Sequence, residues 1–128
     1  MLKIILTMLL LMTLSMGSFA EESVEFTGGA PNGRWWNAST EGSKTFYLVG
    51  LRDGLLLTQK INQFWASGFI IGAYMKELTK LYDATENVRI PIYFVFGAVT
   101  RKLKGELSRE QFETRLANLR ELYNDTTP

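Results

Sequence analysis

The side chains best suited to chemistry in this sequence are carboxylates, because the chain contains neither histidine nor cysteine. Glu77, Asp83 and Glu86 lie within one short stretch, and a pair of facing carboxylates is the minimum equipment of a glycosidase. Each of them, however, lies in a pattern typical of a solvated helix face or a turn, and no nucleophile is paired with an oriented base. The sequence therefore predicts no catalytic residue, no cofactor and no metal site.

Asp53 is a charge in a place where an apolar residue is expected. It lies between Gly50 and Gly54 on a predicted helix, near the side expected to contact another element, where an unpaired charge would cost several kcal/mol. We expect a structural ion pair between Asp53 and either Arg89 or Arg34, which would hold the linker or the start of the domain against this helix. The alternative is that Asp53 is an exposed recognition residue.

Gly50 and Gly54 predict a close-packing helix face. Each glycine inside a helix costs about 1 kcal/mol relative to alanine, so we expect another element to approach this face closely. That element is either a second helix of the same chain or a second copy of the protein. Packing within the chain is the simpler expectation.

The segment 61–73 is apolar and aromatic, but Gly68 and Gly72 interrupt it. Its pattern is compatible with a short strand, a turn of helix or a buried loop. If Phe64, Trp65 and Phe69 are exposed, they form an apolar patch that predicts an interaction surface. If they are buried, they close the core.

Hydrophobic residues at helical spacing predict an all-α domain, most simply a small antiparallel bundle. The predicted principal helices cover approximately 40–60, 74–83, 91–104 and 108–124. Ser39 is the expected N-cap of the first helix, and Ser108 with Gln111 forms a capping box for the last one. The aromatic and β-branched run at 90–95 is also compatible with a strand.

The predicted domain covers residues 32–124, after a flexible lead-in at 21–31 and before a tail at 125–128. The lead-in is acidic and then glycine-rich, without periodicity. At the start of the domain, Trp35 and Trp36 follow Arg34. This pair is expected to close the end of a helical core, the alternative being a platform on which a ligand stacks.

Residues 1–20 have the pattern of a cleaved signal peptide: Lys3, an apolar run from Ile4 to Met16, and Ala20 at a small-residue exit. An uncleaved anchor is the alternative, although the run is shorter than the roughly 20 residues of a membrane span. Of 128 residues, removal of 20 leaves 108, which is one ordinary domain. Lys3 is one of 14 basic residues, so 13 remain against 13 acidic ones. This balance argues against a nucleic-acid partner and against anionic lipid.

The arrangement of several residues resembles small exported bacterial proteins typified by immunity proteins against type VI secretion amidase effectors. The similarity spans about Arg34 to Leu103. The residues that carry it are Tyr47, Gly50, Asp53, Gly54, Tyr82, Glu86, Asn87, Arg89, Ile90 and Pro91. The resemblance implies an all-helical periplasmic protein, often dimeric, that binds a cell-wall amidase and occludes its active site. Those proteins typically carry a cysteine pair, and this chain has none.

The sequence thus predicts a periplasmic or secreted helical protein-interaction module, of the immunity or inhibitor type, with an unidentified protein partner. A homodimer is compatible with the same features. The alternative functions are an envelope structural or stress protein that acts through self-association, and a carboxylate-dependent cell-wall hydrolase.

Overall fold

The computed structural model describes residues 24–124. The predicted signal peptide, the first three residues of the lead-in and the tail at 125–128 lie outside the described residues. The elements in chain order are β1 (Phe26–Thr27), β2 (Ala30–Pro31), α1 (Gly33–Ala38), α2 (Glu41–Leu57), α3 (Ile61–Phe64), α4 (Ile71–Tyr82), a 3₁₀ turn (Thr85–Asn87), α5 (Ile92–Leu103) and α6 (Arg109–Asn124). The prediction of an all-α domain with four principal helices is confirmed by α2, α4, α5 and α6.

The described part of the lead-in, from Val24 onward, forms a β-hairpin that the sequence did not predict, with Phe26 opposite Pro31 and Thr27 opposite Ala30. Gly28 and Gly29 form its turn with φ of 56° and 75°, the left-handed conformations that a tight hairpin connection requires. The Asn32 side chain donates hydrogen bonds to the Val24 carbonyl and to the Thr27 hydroxyl, each at 3.0 Å. A single buried amide therefore ties the hairpin to the start of α1.

Thr40, and not Ser39, caps α2. The Thr40 hydroxyl accepts a hydrogen bond from the Ser43 amide at 3.2 Å, whereas the Ser39 hydroxyl donates to the Trp35 carbonyl at 2.7 Å. Ser39 is engaged because it terminates α1, where its own amide donates to the Trp36 carbonyl. Because Ser39 ends α1, α2 begins one residue later than the sequence predicted.

The core lies mainly along α4 and α5. α4 packs against α1, α2 and α5, and α5 also packs against α6. Trp36 is fully buried, as expected of a residue that closes the core. The helix predicted at 74–83 is confirmed as α4, and α5 is a helix and not a strand. Together they bury Tyr74, Leu78, Leu81, Tyr82, Ile92, Val95, Phe96, Ala98, Val99 and Thr100.

Residues adjacent to the helices define both ends of α5 and the start of α6. Pro91 precedes the first residue of α5, and Gly105 adopts a φ of 73° just after the helix ends. The capping box of α6 is confirmed: the Ser108 amide donates to the Gln111 side chain at 2.8 Å, and the Gln111 amide donates to the Ser108 hydroxyl at 3.1 Å.

Candidate functional site

The segment 58–70, which joins α2 to α4 and which we name the aromatic loop, contains the predicted interaction surface. The structure resolves its conformation as the single helical turn α3 followed by an irregular stretch at 65–70. Of the three alternatives for 61–73, a turn of helix is correct for 61–64. Residues 65–70 form a loop in which only Trp65 and Ala66 are buried, so the expectation of a buried loop is correct for these two alone, and 71–73 belong to α4.

Two of the three predicted surface residues are at the surface. The side chains of Phe64 and Phe69 are 41% and 38% exposed, and that of Ile70, which the sequence did not single out, is 75% exposed. Trp65 is 8% exposed and belongs to the core, where its ring lies 4.3 Å from that of Tyr74. For Trp65 the alternative is correct, that it closes the core. It directly follows α3 in an extended conformation, with φ of −118° and ψ of 136°.

A chain of buried hydrogen bonds holds the backbone of the aromatic loop. The Ala66 amide donates to the Tyr74 hydroxyl at 2.7 Å, and this hydroxyl lies 3.2 Å from that of Thr100. The Thr100 hydroxyl in turn donates to the Phe64 carbonyl at 3.1 Å. Both core helices, α4 and α5, therefore fix the position of the loop.

Further contacts fix the rest of the loop. The Trp65 indole N–H donates to the Phe69 carbonyl at 3.0 Å, and Gly68 permits the intervening bend with a φ of 82°. The Lys104 ammonium donates to the Gln63 carbonyl at 2.9 Å. Exposed apolar side chains on such a fixed backbone lose little conformational entropy when a partner covers them.

The predicted glycine face of α2 points to solvent. A Cβ on Gly50 or Gly54 would meet no atom within 4 Å, so the expectation of close packing within the chain is wrong. Phe46 and Leu57, on the same side, are 79% and 86% exposed. We name these four residues the outer face of α2. The helix has this orientation because Leu48, on its opposite side, is fully buried.

Asp53 shares this exposed side, and its ion-pair partner is not the predicted one. Its carboxylate lies 3.4 Å from the guanidinium of the neighbouring Arg52, and its side chain is 54% exposed. Pairing with Arg89 or Arg34 is therefore wrong. Because α2 turns Asp53 toward solvent, the desolvation cost that demanded a distant partner does not arise.

A second feature is a polar groove of about 640 Å³ between α4 and α6. Glu77 and Glu86 line it, but Asp83 does not. The Glu77 carboxylate contacts the Lys102 ammonium at 2.5 Å, and that of Glu86 lies 3.9 Å from the Arg120 guanidinium. Each of these carboxylates thus contacts a cation, an arrangement that neutralises charge within the groove.

Within residues 24–124, no group of three or more acidic side chains is arranged to hold a metal ion. None of the helices in this part of the chain combines the length and the apolar character that crossing a membrane requires.

No protein-family model, curated protein or solved structure matches this chain.

Proposed function

We propose that this protein is an exported, periplasmic interaction module that binds a partner protein through the aromatic loop, as an immunity protein or inhibitor does. The observation that carries the proposal is the exposure of Phe64, Phe69 and Ile70 on a backbone fixed by core hydrogen bonds. Aromatic and apolar anchors in the centre of a pre-organised surface supply most of the binding energy in protein complexes.

The N-terminal segment and the charge balance support this function. A signal-type sequence at 1–20 would deliver the protein to the envelope, where an inhibitor of a cell-wall enzyme must act. The near-neutral chain has no large excess charge for nucleic acid or anionic lipid. The resemblance to the amidase immunity proteins points to a cell-wall amidase as the class of partner.

The test compares capture of a partner from a periplasmic extract by three forms of the processed protein. Ile70→Asp places a charge at the last residue of the aromatic loop, which is 75% exposed, whereas Leu122→Asp places one at an exposed apolar residue of α6, 61% exposed. We expect a stoichiometric partner to bind the unmodified protein and Leu122→Asp. Ile70→Asp should bind at least about 30-fold more weakly, as for an interface hot spot.

Two outcomes contradict the proposal. One is capture of no stoichiometric partner, and the other is equal binding of the partner by Ile70→Asp and by the unmodified protein. Circular dichroism of both variants provides the control for folding.

The second candidate, an envelope protein that acts through self-association, is favoured by the outer face of α2. If two copies of α2 pack antiparallel about Gly50, Phe46 of each copy lies opposite Gly54 of the other. In such a two-fold arrangement, each exposed Phe46 ring packs on the space that the missing side chain of Gly54 leaves in the other copy.

Sedimentation equilibrium tests this candidate. Self-association should produce a dimer that Phe46→Asp dissociates and that Leu122→Asp leaves intact. A monomer at concentrations of several hundred micromolar would contradict it.

A further inference from the structure

Beside the aromatic loop lies a cleft of about 390 Å³, which we name the basic cleft. It opens between the loop, α5 and α6. Phe64 of the loop forms one wall and Gly97 of α5 lies in its lining. The charged side chains that line it are Arg101, Lys104, Glu106 and Arg115.

Three cations and one carboxylate give this cleft a net positive charge. Glu106 lies 3.4 Å from Arg101 and 3.7 Å from Lys104, and Lys104 also donates to carbonyls of the loop. No ion pair of Arg115 is present among residues 24–124. The cleft therefore holds one carboxylate and retains the capacity for a second one.

Gly97 keeps the lining of the basic cleft open. A Cβ on this residue would meet no atom within 4 Å, although Gly97 lies inside α5, where glycine costs about 1 kcal/mol relative to alanine. The neighbouring Phe64 side chain is 41% exposed. The cleft thus combines an apolar wall, an unobstructed lining and guanidinium groups at its edge.

We propose that the basic cleft receives an aspartate or glutamate side chain of the partner protein, beside an apolar residue that packs on Phe64. This inference rests on the proposed function and adds the chemistry of the partner's contact segment. Arginine presents paired donors that match the two oxygens of a carboxylate. A neutral segment would not make this charge-assisted contact with Arg115, and nucleic acid requires a more extended basic face.

The first experiment is an NMR titration of the full processed protein with two acetylated peptides. One alternates glutamate and leucine, and the other replaces each glutamate by glutamine. We expect the acidic peptide to give saturable shifts at the Gly97 amide and the Arg115 side chain, with an affinity roughly tenfold or more above that of the glutamine peptide. Equal shifts with both peptides, or no shift with either, would overturn the inference.

Three variants locate the binding. Gly97→Leu fills the cleft and Arg115→Gln removes a cation; both should lower the affinity for the acidic peptide about tenfold. Arg109→Gln changes an arginine on the same helix that lines the other groove and should leave the affinity unchanged. Inorganic phosphate is titrated in parallel. Binding of phosphate as tight as that of the peptide would reduce the cleft to an unspecific anion site and refute the inference.

The capture experiment separates this inference from the proposed function. If the partner binds Gly97→Leu and Arg115→Gln normally but is lost with Ile70→Asp, the aromatic loop is the binding surface and the acidic contact is wrong. If the partner is lost with all three variants, both proposals are supported. If Ile70→Asp retains the partner, the proposed function itself is wrong.

Discussion

Tyr82 shows how one polar atom connects separate parts of this fold. Its side chain is 1% exposed, and its hydroxyl donates to the Ile90 carbonyl at 2.9 Å. This bond ties the end of α4 to the residues that precede α5. Burial raises the pKa of Tyr82 far above its ordinary value, and the nearby Tyr47 adds a smaller effect in the same direction.

This raised pKa predicts that the protein loses stability in alkali. The unfolded state releases the Tyr82 proton near a pH of about 10, while the folded state retains it, so the unfolded state binds fewer protons above that pH. The free energy of unfolding should then fall by up to about 1.4 kcal/mol per pH unit for this group. Urea denaturation between about pH 9 and about pH 11 measures the slope.

Tyr82→Phe is the control for this effect. It removes the titrating hydroxyl, so the decrease in stability with pH should become shallower. Part of the decrease should remain, because burial also raises the pKa of Tyr47. An unchanged slope would show that Tyr82 is not responsible.

Thr100 is the residue on which the fixed conformation of the aromatic loop depends most directly. Thr100→Val keeps the shape of the side chain but leaves the Phe64 carbonyl without its donor. We expect a loss of about 1–3 kcal/mol in the free energy of unfolding. Amide hydrogen exchange of the loop should become faster.

The matched variant is Thr45→Val, because the Thr45 hydroxyl bonds the Glu41 carbonyl in a solvent-exposed contact within α2. This change should leave exchange in the loop unaltered. Equal exchange of the loop in both variants would contradict the role of the buried network.

At the scale of elements, the sequence predicted best those helices whose signals are local. α4 and α6 have apolar stripes at helical spacing, and the capping box of α6 is formed by Ser108 and Gln111 alone. The β-hairpin was not predicted, and the conformation of α3 was left open. Both elements are too short to show a hydrophobic periodicity. Their conformations depend on side chains outside the two segments, Asn32 for the hairpin and Tyr74 and Thr100 for the loop.

The orientation of α2 could not be derived from its sequence. Its leucines surround much of the helix, so the pattern does not mark one buried side, and the two glycines suggested contact where the structure has solvent. Tertiary packing, mainly against α4, selects the side of Leu48 for burial. The prediction for Asp53 failed for the same reason.

The open surroundings of Gly50 and Gly54 lead to a prediction on stability. Gly50→Ala and Gly54→Ala should each raise the free energy of unfolding by up to about 1 kcal/mol, because alanine favours the helix and its methyl group meets no atom. The melting temperature of the monomer should rise by a few degrees, roughly 4–8 °C per kcal/mol for a domain of this size. Calorimetry at low protein concentration measures it.

Gly33→Ala is the opposite case. A Cβ on Gly33 would overlap the Tyr82 ring and lie 2.8 Å from the Val88 Cα, so this variant should melt at a lower temperature. If Gly50→Ala and Gly54→Ala also lower the melting temperature, the outer face of α2 is covered in solution.

At the scale of the whole molecule, the fold positions two surfaces side by side. α4 and α5 fix the aromatic loop from within, and α5 with α6 forms the basic cleft next to it. The sequence revealed Phe64 and Phe69 because aromatic residues in a glycine-broken segment are conspicuous. It did not reveal the cleft, since Phe64 and Arg115 are distant in the chain and only tertiary packing brings them together.

Oxidative footprinting of the complex between the processed protein and its captured partner identifies which exposed aromatic rings the partner covers. Phe64 and Phe69 on the aromatic loop, and Phe46 on the outer face of α2, are exposed, so all three should be oxidised in the free protein. The account predicts that partner binding protects Phe64 and Phe69 and leaves Phe46 as reactive as before. Protection of Phe46 with no change at Phe64 and Phe69 would contradict it.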